Sequence, residues 1–336
     1  MEVTGLTIGT RRGIDNDVFI ALARRADELG YHALFTGESW GRDVFTVLTM
    51  VACHTGRIRV GTGIATLFSR TPAMTAQSIA SLDIVSNGRA ILGLGTSGRI
   101  VVEQWHGVKY ERPLERTREY IEIIRKALGG ERLEHQGSIF KLGRFRMPFS
   151  PVQERIPIYV ASLGPKNLAL TGELADGWLP IWVHPDHLPL LLSSIEEGAL
   201  TAGRTLEDIT VAPQVLCCVA NDAGEREQAK KLLRSHMAYY IGGMGAYYYQ
   251  LFQRYGYVEE TARVREAWSE NDRARAASQI SDEMLDSITV YGDAEECREK
   301  LRKFRARGVD MPLVSFPNAC PSELMYRTLE ALAPRA

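Results

Sequence analysis

Arg57–Gly107 reads RIRVGTGIATLFSRTPAMTAQSIASLDIVSNGRAILGLGTSGRIVVEQWHG. Two short apolar runs, Arg57–Thr62 and Ala90–Leu94, have the length of buried strands. Each breaks into a loop of glycine and hydroxyl residues, 63–70 after the first and Gly95-Thr96-Ser97-Gly98 after the second. Between them Pro72–Val85 is predicted as a helix, with proline in its first turn. Strand, glycine loop, helix, strand, glycine loop is the unit of a parallel α/β fold. Loops of this composition let a backbone come close to a planar ligand.

The same alternation extends in both directions. Val3–Gly9 suits a first strand, and Ile14–Gly30 a helix with Val18, Phe19, Leu22, Ala26 and Leu29 on one face. Tyr31–Thr36 is a second strand running into Gly37-Glu38-Ser39-Trp40, and Asp43–Thr55 a helix. Downstream come a helix at Pro113–Leu128 and a hairpin-like excursion at 132–150. Strands are expected at Ile156–Ala161, Gly177–Pro180, Ile209–Ala220 and Pro312–Phe316, with helices at Pro165–Ala175, Asp186–Ala202, Ala294–Gly308 and Pro321–Leu332. Residues 221–287 read as a helical insertion after the seventh strand. About eight strands alternating with helices predict a TIM (β/α)₈ barrel with insertions, forming one domain over 1–336. A doubly wound sheet is the rival, but no G-x-G-x-x-G follows the first strand; the match at Gly93–Gly98 follows the fourth.

Charge and cysteine content narrow the function. The formal net charge is −1 with no basic block, which argues against nucleic acid and anionic membrane as partners. Five cysteines with no C-x-x-C pair argue against a disulfide framework or a zinc site, and a reducing cytoplasm is expected. The segment MEVTGLTIG lacks a signal-peptide pattern, and no apolar run reaches a membrane span.

In a barrel the site lies at the carboxyl ends of the strands, which selects the candidates. Glu38 stands at the end of strand two, able to hold a proton near a ring nitrogen or simply to pair with Arg42 or Arg70. Ser162, Leu163, Gly164, Pro165, Lys166 and Asn167 lead into a helix N-terminus, where free N–H groups make an anion seat or an ordinary β–α turn. His106 and His184 are candidate acids on the substrate side, and His106 alone could equally be structural. His184 and His187 lack the carboxylate set of a metal site, so no metal is expected. Gly37-Glu38-Ser39-Trp40-Gly41 matches the G-x-S-x-G of a nucleophile elbow, but no aspartate and histidine can be assigned to Ser39. Tyr247-Tyr248-Tyr249 would line a pocket mouth or pack within the insertion. Cys217-Cys218 lies in an apolar strand and is expected in the core.

Three segments carry a family resemblance: residues 61–107 of the opening stretch, IPIYVASLGPKNLALTGELADGWLPIW and YIGGMGAYYYQLFQRYGY, with a looser match at ITVYGDAEECREKLRKFRARGVD. They resemble the bacterial luciferase-like superfamily, specifically its coenzyme F420-dependent oxidoreductase branch. The resemblance implies a deazaflavin at the carboxyl end of the barrel and a bulge with a non-prolyl cis peptide at Gly63-Ile64 behind the ring. Thr66 and Thr96 are candidates to hydrogen-bond the ring or ribityl chain, with Ala65 and Ser97 beside them as cofactor-binding candidates. The phosphate would sit on Leu163, Gly164, Pro165 and Lys166, next to Ser162, with help from Gly242, Gly243 and Met244, and a homodimer is implied. Where several relatives carry a histidine, a glutamate and an asparagine, this chain has Ser39, Gly98 and Val101. The sugar-phosphate dehydrogenase and methanopterin reductase activities of subgroups are therefore not carried over.

The expected function is hydride transfer between F420 and a small organic substrate, an enone, imine or alcohol. Two rivals stand beside it: an FMN-dependent monooxygenase of the same fold, and a barrel that binds a flavin without catalysis.

Overall fold

The computed structural model describes residues 2–10 and 14–335, so the expected domain bounds at 1 and 336 lie outside the described residues. The first half of the chain contains β1 (Gly5–Thr7), α1 (Asn16–Glu28), β2 (Ala33–Thr36), α2 (Val44–His54), β3 (Arg59–Thr62), β4 (Ala65–Thr66), α3 (Pro72–Val85), β5 (Ala90–Gly95) and α4 (Pro113–Leu128). An antiparallel hairpin of β6 (Leu133–Gln136) and β7 (Lys141–Phe145) follows, then β8 (Ile158–Ala161), α5 (Pro165–Leu174), β9 (Gly177–Trp178), α6 (Leu188–Thr201), β10 (Thr210–Val211) and β11 (Gln214–Val219). The insertion holds α7 (Ala223–Gly243), α8 (Ala246–Arg254), α9 (Val258–Ser269), α10 (Arg273–Ser278) and α11 (Asp282–Ile288). The chain ends with β12 (Val290–Gly292), α12 (Ala294–Ala306), β13 (Leu313–Ser315) and α13 (Ser322–Ala331).

Helix starts follow the side chains expected to cap them. Asp15 accepts from the Val18 N–H, Asp43 from Thr46 and Thr71 from Met74, each satisfying a donor that the first turn leaves unpaired.

The strands pair in parallel in the order β9-β8-β5-β3-β2-β1-β13-β11. Residues 210–219 form one stave interrupted at Ala212-Pro213. Its first half pairs with β9 and its second half with β13, and a bridge joins Ile181 to Gln214. That closes the ring and makes the α/β barrel expected from the sequence. Sequence reading missed β12, which pairs in parallel with Cys217–Val219.

The barrel interior is filled rather than hollow. Phe35 and Tyr159 lie stacked with centroids 6.0 Å apart, among Ala33, Ile91, Leu179, Ala212, Met311 and Leu313. Glycine makes room for both rings: a Cβ on Gly61 would lie 2.4 Å from the Phe35 ring, and one on Gly177 2.6 Å from that of Tyr159. A second apolar layer joins the strands to the surrounding helices, and a third packs the insertion over Trp182, Leu216 and Cys218. Cys217 faces one layer and Cys218 another, as adjacent strand residues must.

The family-typical run at 82–95 is largely structural. Buried Asp83 accepts from the N–H groups of Val152, Gln153 and Ala90 and from the Gln153 amide, tying the end of the 132–150 excursion to β5. The Arg89 guanidinium donates to the carbonyls of Ala52, Thr55, Ile58 and Ser86, closing the base of the neighbouring staves.

Candidate functional site

At the carboxyl ends of the staves lies a cavity of about 520 Å³, well within the range of small-molecule sites. β2 contributes Gly37, Glu38 and Ser39; β3 contributes Gly63 and Ile64; β5 contributes Gly95–Gly98. β8 contributes Ala161–Asn167, and β9 leads into Leu179, Pro180 and Ile181. The insertion closes it with Tyr240, Met244, Tyr247 and Tyr248.

Gly63-Ile64 forms the break between β3 and β4, and its peptide is cis, where the resemblance placed a bulge. After the bulge Ala65 and Thr66 resume pairing with Leu94 and Gly95. Close approach of backbones is built in here. A Cβ on Gly37 would lie 2.5 Å from the Gly63 carbonyl oxygen, and one on Gly93 1.9 Å from that of Thr62.

Glu38 is 7 % exposed and fully engaged. It accepts from the Thr66 N–H at 2.9 Å, the Ser69 hydroxyl at 3.2 Å and Nη1 of Arg70 at 2.9 and 2.8 Å. Of the two ion pairs weighed from the sequence, Arg70 is the partner; Arg42 bonds to Asn16. Glu38 thus shapes the wall of the cavity as half of an ion pair.

The seat at Ser162–Asn167 is formed by the first turn of α5. Gly164 is the N-cap and has no side chain to cap with; its Cβ position meets nothing within 4 Å. Ser162 is tied behind it, its hydroxyl 2.8 Å from that of Thr171 and its carbonyl accepting from the Trp178 indole N–H. Asn167 lines the cavity, and its side-chain oxygen is buried with no partner among the described residues.

Several expected site residues stand elsewhere. Ala65 and Thr66 lie behind the bulge, outside the lining, although the Thr66 N–H reaches Glu38. Gly242 and Gly243 do not reach the cavity: Cβ atoms there would lie 2.4 and 2.8 Å from Trp268, so these glycines serve helix packing, and only Met244 lines the site. His106 ends a π-helical turn at Val101–Trp105, outside the lining. His184 caps a short turn through Nδ1, which accepts from the Asp186 N–H, and packs on His187 and Tyr255; burial and the nearby His187 lower its pKa. With no histidine among the described lining residues, Ser39 has no base and the hydrolase elbow lapses. Among the described residues no cluster of His, Cys, Asp or Glu could hold a metal ion.

Sequence reading missed Tyr110, Leu114, Leu179, Ile181, Gln214 and Tyr240 as lining residues. The aromatic run signalled Tyr247 and Tyr248, whereas Tyr249 turns to the guanidinium of Arg265. Tyr110 carries no local signal; it comes from the loop before α4, fixed by stacking on Phe68 at 5.1 Å and by the Arg99 guanidinium 4.9 Å from its ring.

Fold and site together define an enzyme of the luciferase-like class. The chain belongs to the luciferase-like monooxygenase family, whose model matches residues 6–311. It is 34 % identical over 316 residues to a Mycobacterium tuberculosis protein assigned by name to the coenzyme F420-dependent oxidoreductases, covering 89 % of this chain and 90 % of that one. It is 30 % identical over 298 residues to the 5,10-methylenetetrahydromethanopterin reductase of Archaeoglobus fulgidus, covering 87 % of each. The structure of the F420-dependent tetrahydromethanopterin reductase from Methanopyrus kandleri superposes with a TM-score of 0.87 at 26 % identity, covering 99 % of this chain and 98 % of that one. Among the described residues no helix is long and apolar enough to cross a membrane.

Proposed function

We propose that this enzyme transfers a hydride between coenzyme F420 and a small organic substrate. The observation that carries the reading is one cavity that joins an apolar surface, Ile64 and Leu179, to the open first turn of α5. A deazaflavin carrying a phosphate asks for both: a flat apolar contact for the ring and an anion seat for the tail. The unpartnered amide oxygen of Asn167 is a buried acceptor awaiting a donor, as a ligand rich in hydroxyls would supply. The F420-dependent relatives favour this cofactor over FMN.

When bound, F420 supplies a carbon centre that accepts or gives a hydride. The residues of this chain do the rest. Gly164 keeps the helix turn open, and Lys166 adds a positive charge in the same lining. Ile64 and Leu179 exclude water from the ring. Arg70 pairs with Glu38, so the carboxylate in the wall beside Gly37 and Ser39 faces the cavity as half of an ion pair. The test is anoxic incubation of reduced F420 with the protein and a panel of enones and imines, with oxidised F420 for alcohols. Turnover of the cofactor's visible absorbance supports the reading; binding without turnover across the panel returns the non-catalytic barrel.

We infer a homodimer as the working assembly. The solvent side of α3 presents Met74, Ile84 and Val85, and the one charged residue of that helix, Asp83, is buried. Sedimentation equilibrium showing a monomer would reject it.

A further inference from the structure

We propose that Tyr110 and Tyr247 form the proton-delivering pair of the site and select a neutral carbonyl substrate, an enone. This rests on the F420 reading above and deepens it. Both rings line the cavity, and their hydroxyl oxygens are 3.3 Å apart. Tyr110 is buried, while Tyr247 is 46 % exposed, so the pair connects the cavity to bulk water. Thr96 adjoins the Tyr110 phenol from the loop after β5. Phe68 and Arg99 hold the Tyr110 ring on either side, and its backbone N–H is fixed by Glu103.

Several other candidate proton donors fall away. Reducing a carbonyl compound by hydride leaves charge on oxygen, which needs a proton. Glu38 is committed to Arg70, Thr66 and Ser69, both candidate histidines stand outside the lining, and Gly98 has no side chain. Burial raises the Tyr110 pKa, which keeps it a neutral donor. Among the described residues no unpaired carboxylate lines the cavity to greet a cationic iminium, whereas Lys166 is a cation. Neutral donors and an apolar surface fit a neutral carbonyl.

The balance is complete. The β-carbon of the enone gains a hydride from reduced F420, which is oxidised by two electrons. The carbonyl oxygen gains the proton of Tyr110, giving an enol that becomes the saturated ketone. Tyr110 regains a proton from Tyr247, and Tyr247 from water. The single proton that reduced F420 would give up along with the hydride would pass to water, replacing the one drawn through Tyr247.

The probe is cyclohex-2-enone, titrated calorimetrically into the protein with and without F420, alongside F420 titrations of the wild type, Tyr110→Phe and Tyr247→Phe. Tyr110→Phe is expected to weaken cyclohex-2-enone binding roughly five- to tenfold and leave F420 affinity unchanged. Oxidation of reduced F420 by the enone should slow roughly a hundredfold in Tyr110→Phe and less in Tyr247→Phe. The wild type should show a solvent deuterium effect that a merely structural tyrosine would not produce. Unchanged enone binding and turnover in Tyr110→Phe, or no enone binding by the wild type, overturns the proposal. Loss of F420 binding in the wild type overturns the cofactor reading instead, and enone binding to the cofactor-free protein then decides the tyrosine pair by itself.

Discussion

The Glu38 carboxylate at the end of β2 receives hydrogen bonds of 2.9 and 2.8 Å from a single nitrogen of Arg70, whose other terminal nitrogen pairs with Asp43. One guanidinium therefore holds two acidic groups from neighbouring segments against the rim of the cavity. Removing Arg70 alone strands the buried Glu38. Arg70→Met is expected to destabilise the fold by about 3–5 kcal/mol. Glu38→Gln with Arg70→Met should recover part of that loss, because the buried charge is gone and Asp43, the other partner, is exposed to water. Denaturant unfolding of both single variants and the double checks it; additive losses would show that the pair does not act as a unit.

Asp83 gathers four nitrogen donors from Ala90, Val152 and Gln153. Asp83→Ala leaves them without that acceptor in a half-buried site, and a loss of about 3 kcal/mol is expected, at roughly 1–3 kcal/mol per unsatisfied group. The readout is the unfolding midpoint. A change under about 0.5 kcal/mol, the range of ordinary surface substitutions, would remove Asp83 from its structural role.

The glycines divide into two kinds. Gly164→Ala adds a methyl where nothing lies within 4 Å, so stability should hold while F420 binding weakens. Gly242→Ala drives a methyl into Trp268 and should cost about 1–3 kcal/mol. Paired measurements of unfolding and cofactor affinity separate them; equal stability losses would refute the distinction.

Glu119 fastens the hairpin to α4. Burial would raise its pKa, but the N–H groups of Phe140, Ile139 and Ser138 and the Ser138 hydroxyl outweigh that and bring it down to about 2, from an ordinary 4.5. Because the folded value is depressed, its stabilisation is present above pH 4.5 and is lost as pH falls towards 2. The stability difference between wild type and Glu119→Gln should shrink across that window. A difference that stays constant with pH would contradict it.

Four of the five cysteines are buried, and burial raises the thiol pKa of Cys217 and Cys297. Cys53 alone is exposed. A thiol reagent should label one cysteine rapidly in the native protein and all five after unfolding. Rapid native labelling of more than one would contradict the burial of the other four.

The barrel was legible because each stave announces itself locally: an apolar run, a glycine loop, then a capped or proline-started helix. Pro72–Val85 and Pro113–Leu128 appear with their expected bounds. β12 was hidden because Val290–Gly292 is three residues long and gains its partner only through β11. The strand ends bring Glu38, Gly63, Thr96 and the Ser162–Lys166 turn around one cavity. Residue type misled where packing decided. Gly242 and Gly243 resemble ligand-approach glycines but make room for Trp268, His184 resembles an acid but caps a turn, and His106 stands outside the lining with its Nε2 buried. Tyr110 could not be found by pattern, because tertiary contacts with Phe68, Arg99 and Tyr247 give it its position.

Equilibrium binding of oxidised F420 and of FMN to the purified protein, followed by fluorescence quenching, tests the central claim most directly. Saturable F420 binding that weakens in Gly164→Ala, with FMN bound weakly or not at all, is the predicted result. Tight FMN binding without F420 binding would contradict it.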